Sequence, residues 1–440
     1  MLKGVLRRSQ KTLAVSLHES SVETWESHNY RVLLVQGAWL GLIDGGIFTY
    51  LPVFLARLGA SASVIGLLTS GPSLVGIVSY IPGGIYAERQ ANLVKLVAVT
   101  SLISRLAYPL IALLPFFLAP SAIPLTVAIL WSLAAVPTGI WIPAWTAVIQ
   151  KAVSAERQAR LNGTRWALLS AVSAVAITSF GYMLDRVPFP QGYQIVFLIS
   201  FAGALVTIYY WMQLRVPAFV PERSDPPGQV GLSAQARAFF RPLVESRPFL
   251  RYNLATLLYR LALNMPVALF SIFWVEDLRA TDTWIGLRGF VGYAALIAGY
   301  VFWGRVANRL GHRNMLLICG SLLGLYPVCT ALVSTMQWLL PVAVLWGFTI
   351  GAVDIGLFDM LLAVCPEGRQ PTFAATANML VSVVVFVAPF LGAALAEAAG
   401  VRAALFISGG LQVASAALFL LLPPREQEGL GPLACCSEGR

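Results

Sequence analysis

Runs of about 20 apolar residues, the length at which an α-helix crosses the roughly 30 Å hydrocarbon core of a bilayer, recur along this whole sequence. They fall at Tyr30–Phe54, Val64–Tyr86, Leu93–Leu118, Ile123–Val148, Ala167–Leu184, Ile195–Leu214, Tyr252–Val275, Ile285–Val306, Met315–Val333, Leu339–Val364, Phe373–Leu395 and Ala403–Leu422. Barrel strands would be segments of about 10 residues alternating in polarity. The runs therefore predict an all-α membrane protein with twelve transmembrane helices. Of the 440 residues, 58% are hydrophobic and 11% charged, against about 25% charged in an ordinary soluble domain. That balance excludes a soluble enzyme, a nucleic-acid-binding domain and a disordered regulator, and makes the lipid bilayer a partner.

Charge placement gives the expected orientation. With both termini in the cytoplasm, cytoplasmic segments hold 23 of the 30 Lys and Arg residues. These include Arg31, Lys95 and Arg305 in the cytoplasmic end turns of spans; the external loops then hold four (Arg57, Arg186, Arg279 and Arg402) and the span interiors three (Arg105, Arg260 and Arg288). Positive residues collect on the cytoplasmic side of membrane proteins, so the net charge of +10 reads as a topology signal, without nucleic acid. The expected organisation is a cytoplasmic lead-in (1–29), a six-helix bundle (30–214), a proline-rich cytoplasmic linker (215–251), a second six-helix bundle (252–422) and a cytoplasmic tail (423–440). The lead-in lacks the apolar core of a cleaved signal peptide. Arginine outnumbers lysine 26 to 4, and the one Asn162-Gly163-Thr164 sequon falls on the cytoplasmic side; both favour a bacterial inner membrane.

Five cysteines, two inside one apolar run, one at the edge of another and two adjacent in the tail, offer neither a disulfide framework nor metal-ligand spacing. No span contains a lysine beyond its first turn, where Lys95 opens the third, which removes a Schiff-base pigment, and no Gly-rich Lys-Ser/Thr phosphate loop is present. No cofactor is expected, and ATP bound to this chain cannot be the driving force.

The two halves repeat one another. At an offset of 220, Ile65-Gly66-Leu67 meets Ile285-Gly286-Leu287, Gly84 meets Gly304 and Arg89 meets Arg309. At slightly smaller offsets Leu130-Trp131 meets Leu345-Trp346, and Arg157-Gln158 meets Arg369-Gln370. Two parallel six-helix copies around an axis along the membrane normal form a known transporter architecture, with its substrate site between them near the midplane.

After the eighth span the chain reads Gly304-Arg305-Val306-Ala307-Asn308-Arg309-Leu310-Gly311-His312-Arg313. This resembles the signature cytoplasmic loop of the major facilitator superfamily, G-x-x-x-D-R-x-G-x-R, with Asn308 in place of the acid. A weaker copy follows the second span, where Gly84, Glu88 and Arg89 keep the pattern and Ala91 replaces its glycine. The resemblance covers roughly Tyr30 to Leu422 and implies the major facilitator fold, with these loops acting as cytoplasmic gates. Glycine would let helices approach closely, and an acid–arginine pair could latch one arrangement of the halves. Solvated basic turns that serve orientation alone are the alternative.

Ionisable side chains inside a span are costly and call for a reason. Asp44 lies near the middle of the first span among Gly41, Gly45 and Gly46, and its repeat partner at +220 is Asn264. It is either a proton carrier or a structural acid paired with an arginine. Arg105 and Arg260 keep their charge; they either pair with Asp44 or Asp354, or clamp an anionic substrate. Arg260 and Asn264 are one helical turn apart on one face. Arg288 either serves the cavity or snorkels outward, and Arg165 reads as an inner-interface anchor. Pro137 and Pro143 should kink the fourth span.

These features predict a monomeric secondary active transporter that moves a small organic solute by alternating access, coupled to protons through Asp44. Rival readings are an organic-anion uniporter or exchanger, a lipid or lysolipid flippase, and a transporter-like sensor or scaffold.

Overall fold

The structure is a computed structural model and describes residues 25–217, 246–365 and 370–422. Most of the expected lead-in, linker and tail lies outside these residues. Among the described residues every regular element is helical. The spans are α1 (Trp25–Arg57), α2 (Ala62–Glu88), α3 (Leu93–Phe117), α4 (Ile123–Ala134 and Thr138–Ala152), α5 (Ala155–Leu184) and α6 (Gln191–Met212) in the first half. The second half has α7 (Arg247–Asp277), α8 (Asp282–Leu310), α9 (His312–Leu332), α10 (Leu339–Val364), α11 (Gln370–Ala399) and α12 (Val401–Leu421). Large apolar side chains such as Val78, Phe116, Leu133 and Leu332 stand exposed around the bundle, as a surface covered by acyl chains requires.

Five spans depart from straight α-helix, of which α12 does so only in a closing 3-10 stretch at Ala417–Leu421. The two parts of α4 meet at 43°, because Pro137 has no N–H and its ring crowds the preceding turn. The Thr138 N–H then bonds the Ala135 carbonyl, and the Ala134 carbonyl accepts from Ser104 Oγ on α3 at 2.6 Å. α3 is interrupted at Leu106, just after Arg105. α1 widens into a π-helical turn at Asp44–Phe48. α7 breaks at Met265-Pro266, immediately after Asn264, and ends in a second π turn at Phe273–Asp277. The positions paired by the repeat, Asp44 and Asn264, thus both sit where the first helix of a half changes its winding. α5 begins 12 residues before its apolar run does, since its polar first turns continue the helix past the hydrocarbon.

The packing repeats as well. Within the halves α2 lies on α4 as α8 lies on α10, and α3 on α6 as α9 on α12. Between the halves α5 packs on α8 and α11 on α2, two seams that exchange when the halves exchange. Gly66 and Gly286, from the repeated Ile-Gly-Leu triplets, occupy these seams. A Cβ on Gly286 would stand 2.7 Å from the Ile177 carbonyl oxygen, and one on Gly66 3.1 Å from the Pro389 Cβ.

Among the described residues the apolar core is shared at one end only. Residues of α1, α6, α7 and α8 from Ile43 through Tyr50, Phe197, Phe273 and Ile285 form one cluster across both halves. Towards the end where Trp25 and Leu422 lie, the core divides. One cluster holds Leu33, Val97, Val148 and Trp211 of the first half; another holds Phe249, Met315, Met360 and Phe373 of the second. The halves are fused at one end and separately packed at the other.

Candidate functional site: a cavity between the halves

A cavity of about 430 Å³ opens between the halves. Phe48, Thr49 and Ile177 line it from the first half, facing Trp274, Arg288, Tyr293, Tyr326, Trp346 and Gln412 of the second. The Arg288 guanidinium sits 4.4 Å from the Trp274 ring centre, 5.6 Å from Trp346 and 5.7 Å from Tyr326. It also donates to the Tyr326 hydroxyl. Its described partners are therefore aromatic, and ring faces attract a cation by their quadrupole. The side chain turns inward to this cavity, not outward to the headgroups.

Asp44 lies beside the cavity. Its Oδ2 accepts from Ser173 Oγ on α5 at 2.9 Å and from the Tyr293 hydroxyl on α8. The π turn that carries it is sustained locally: Thr49 Oγ1 donates to the Asp44 carbonyl at 2.8 Å, and Ser173 Oγ reaches the Gly41 carbonyl at 3.1 Å. Gly45 allows α1 to touch α5, since a Cβ there would stand 2.7 Å from the Ser173 carbonyl oxygen. Single π turns of this kind recur at functional positions. One carboxylate thus takes hydroxyl donors from both halves.

The fused end is held by a polar latch. Arg57 Nη2 lies 2.9 Å from Asp282 Oδ1 and donates to the Ala280 carbonyl at 2.9 Å. Arg57 Nε donates to the Tyr193 hydroxyl at 3.0 Å, and that hydroxyl donates to Asp282 Oδ1 at 2.8 Å. Asp185 accepts the Asp282 and Thr283 N–H groups at 2.8 and 2.9 Å, so a carboxylate of the first half caps the N-terminus of α8, where the helix dipole favours negative charge. Burial pushes the Asp185 carboxyl up, but the hydrogen bonds from Thr283 and Asp282 outweigh it and hold the group below its ordinary value. Sequence reasoning did not single out Arg57, Asp185, Tyr193 or Asp282; the signal available was a charged residue at each end of a short loop.

The other expected residues lie elsewhere. Arg105 donates to the Ala204 carbonyl at 3.1 Å and to Thr207 Oγ1, and lines a cavity within the first half. Arg260 lies within electrostatic reach of Asp354, an exposed side chain on α10, and its Nε is buried without a hydrogen-bond partner. The Asn264 amide donates back to the Arg260 carbonyl at 2.8 Å. Leu263 and Pro266 line the central cavity, while Arg260, Asn264 and Asp354 are not among its described lining.

In the loop motifs, Gly311 has φ +77° and separates α8 from α9, a backbone that favours glycine. A Cβ on Gly304 would meet nothing within 4 Å, so close helix approach does not require glycine there. Arg89 ends α2, Arg309 lies in the last turn of α8, and the Arg313 Nε is buried without a hydrogen-bond partner among the described residues. The side chains at Gly84, Glu88 and Asn308 lie outside the described residues.

Comparison with known proteins agrees with this architecture. The sequence pattern of the Major Facilitator Superfamily matches residues 252–434. The chain is 33% identical over 97 residues to a putative metabolite transport protein, YaaU, of Escherichia coli K12, a stretch that is 22% of each chain. It is 32% identical over 94 residues to synaptic vesicle glycoprotein 2C of Mus musculus, covering 21% of this chain and 13% of that one. These matches span about a fifth or less of the curated relatives' length. Among solved structures, a POT family transporter in complex with 5-aminolevulinic acid superposes with a TM-score of 0.71 at 11% identity, over 89% of this chain and 95% of that one. The nucleoside transporter NupG gives 0.68 at 12% identity, over 89% and 99%. A bacterial homologue of the iron transporter ferroportin, in an inward-facing state, gives 0.67 at 15% identity, over 91% and 99%. The chain has the transporter fold of the major facilitator superfamily.

Proposed function

We propose that the protein is a secondary transporter that carries a small organic solute by alternating access and couples it to protons at Asp44. The observation that carries this reading is the contact of Asp44 with Ser173 of its own half and Tyr293 of the other, beside the inter-half cavity. An ionised carboxylate is an acceptor only, and protonation turns one oxygen into a donor. A proton arriving at Asp44 therefore changes what holds the halves together, which is the link that coupling needs. The reading places the latched end outside and both termini in a bacterial cytoplasm, so the arrangement described here faces inward. The transporter acts as a monomer.

The test uses proteoliposomes loaded with a pH-sensitive dye and challenged with uridine, 5-aminolevulinic acid, dipeptides, sugars and lipophilic cations. A solute that carries protons inward identifies the cargo. If an identified cargo moves equally fast in Asp44→Asn and after collapse of the pH gradient, coupling at Asp44 is wrong. A second reading, exchange of organic anions, is favoured by Arg288, whose described partners are all aromatic; Arg288→Gln would then abolish transport whatever the gradient.

A further inference from the structure

The first half contains a cavity of its own, about 230 Å³ in volume, whose lining comes only from α1, α3, α4, α5 and α6. Arg105 and Arg165 both face it, and no Asp or Glu is among its lining residues. Arg165 is 8% exposed. Its Nη2 donates to Gln36 Oε1 at 3.1 Å, its guanidinium lies 5.2 Å from the Trp145 ring centre, and its Nε is buried with no hydrogen-bond partner. Among the described residues Arg105 has neutral partners, the Ala204 carbonyl, the Thr207 hydroxyl and the Tyr108 hydroxyl. A guanidinium does not shed its proton, and burying one without a counter-charge costs several kcal/mol. Two of them here share one chamber with neutral partners among the described residues.

An anion in that chamber answers both charges, and the rest of the wall specifies its kind. Trp141, Trp145 and Trp211 present flat apolar faces, while Ser101 and Thr207 add hydroxyls near Arg105. A dry cavity of about 150 Å³ accommodates benzene. A volume of about 230 Å³ therefore suits one ring with a charged head and is too small for a nucleotide. A carboxylate head matches the planar fork of an arginine better than a spherical ion does. We propose that this first-half cavity binds a small organic carboxylate with a flat apolar body, its head between Arg105 and Arg165 and its ring against the tryptophans.

Photolabelling of the purified full chain with 4-azidobenzoate tests this without any substitution. The expected result is saturable labelling of peptides containing Trp141 to Trp145 or Thr207 to Trp211, blocked by benzoate and unaffected by benzamide, the neutral counterpart. Arg165→Gln, if it elutes as a single species, should weaken benzoate protection at least tenfold. Labelling confined to Trp274 or Trp346 around Arg288 would overturn the proposal, as would equal protection by benzamide or no saturable labelling. The readout is binding in detergent, so a failure of proton coupling at Asp44 leaves it standing.

Discussion

The Tyr293 hydroxyl on α8 donates to Oδ2 of Asp44 on α1, so one hydrogen bond at the edge of the central cavity ties the second half to an acidic group of the first. Asp44→Asn keeps the shape and replaces the carboxyl with a neutral amide. Accumulation of cargo against its gradient should fall at least tenfold, while exchange of cargo for cargo continues. Paired uptake and counterflow assays in the same vesicles check this.

Arg57 and Asp282 form the centre of the latch, with the carboxylate side chain 6% exposed and the guanidinium 26%. A hydrogen bond to a charged group contributes about 1.5–3 kcal/mol, and 1.4 kcal/mol is about tenfold in population. Arg57→Gln should therefore raise the population opened at this end by about tenfold to a hundredfold. Distances between spin labels on first- and second-half loops at the latched end would report the change.

Acid should loosen the same end, with a defined sign. The Asp185 carboxyl is held below its ordinary value in the closed arrangement. Opening exposes it and returns it to the usual aspartate range, about 3.9. Its contribution to closure is thus fully present above that range and is lost as pH falls through the depressed value. The part of the label distances that depends on Asp185, read as the difference from Asp185→Asn, should stay constant from about pH 8 to 5 and lengthen only in stronger acid. Asp185→Asn should remove this component of the acid response and weaken closure at neutral pH.

Alanine at the seam glycines should separate two equivalent positions. A Cβ on Gly286 would meet backbone atoms, the Ile177 oxygen at 2.7 Å and the Thr178 Cα at 3.1 Å, whereas one on Gly66 meets the Pro389 Cβ at 3.1 Å. Overpacking costs typically about 1–3 kcal/mol. Gly286→Ala should displace the α5–α8 seam and open the latched end more than Gly66→Ala opens the α2–α11 seam. Label distances across each seam decide between them.

The spans, the repeat and the bend of α4 were legible in the sequence because each is a local or periodic property: apolar length, offset and a proline. Asp44 was conspicuous because a carboxylate in an apolar run is costly. Its partners were not, since Ser173 and Tyr293 stand 129 and 249 residues away and carry no charge to announce them. The latch was hidden for a related reason: Arg57 and Asp282 are 225 residues apart, and each alone looks like an ordinary loop charge. Arg165, which reads as an interfacial anchor beside an apolar run, is buried because α5 extends beyond that run and packs its polar turns against α1. Gly304 shows the converse, a motif residue whose surroundings here are open.

The division of the apolar core has a mechanical consequence. Among the described residues, a chain severed between residues 217 and 246 would leave two fragments riveted at the end where the single cluster, the latch and the two seams join them. Whatever parts that joint must assemble a replacement contact at the opposite mouth in the same movement, or the fragments would drift apart in the lipid.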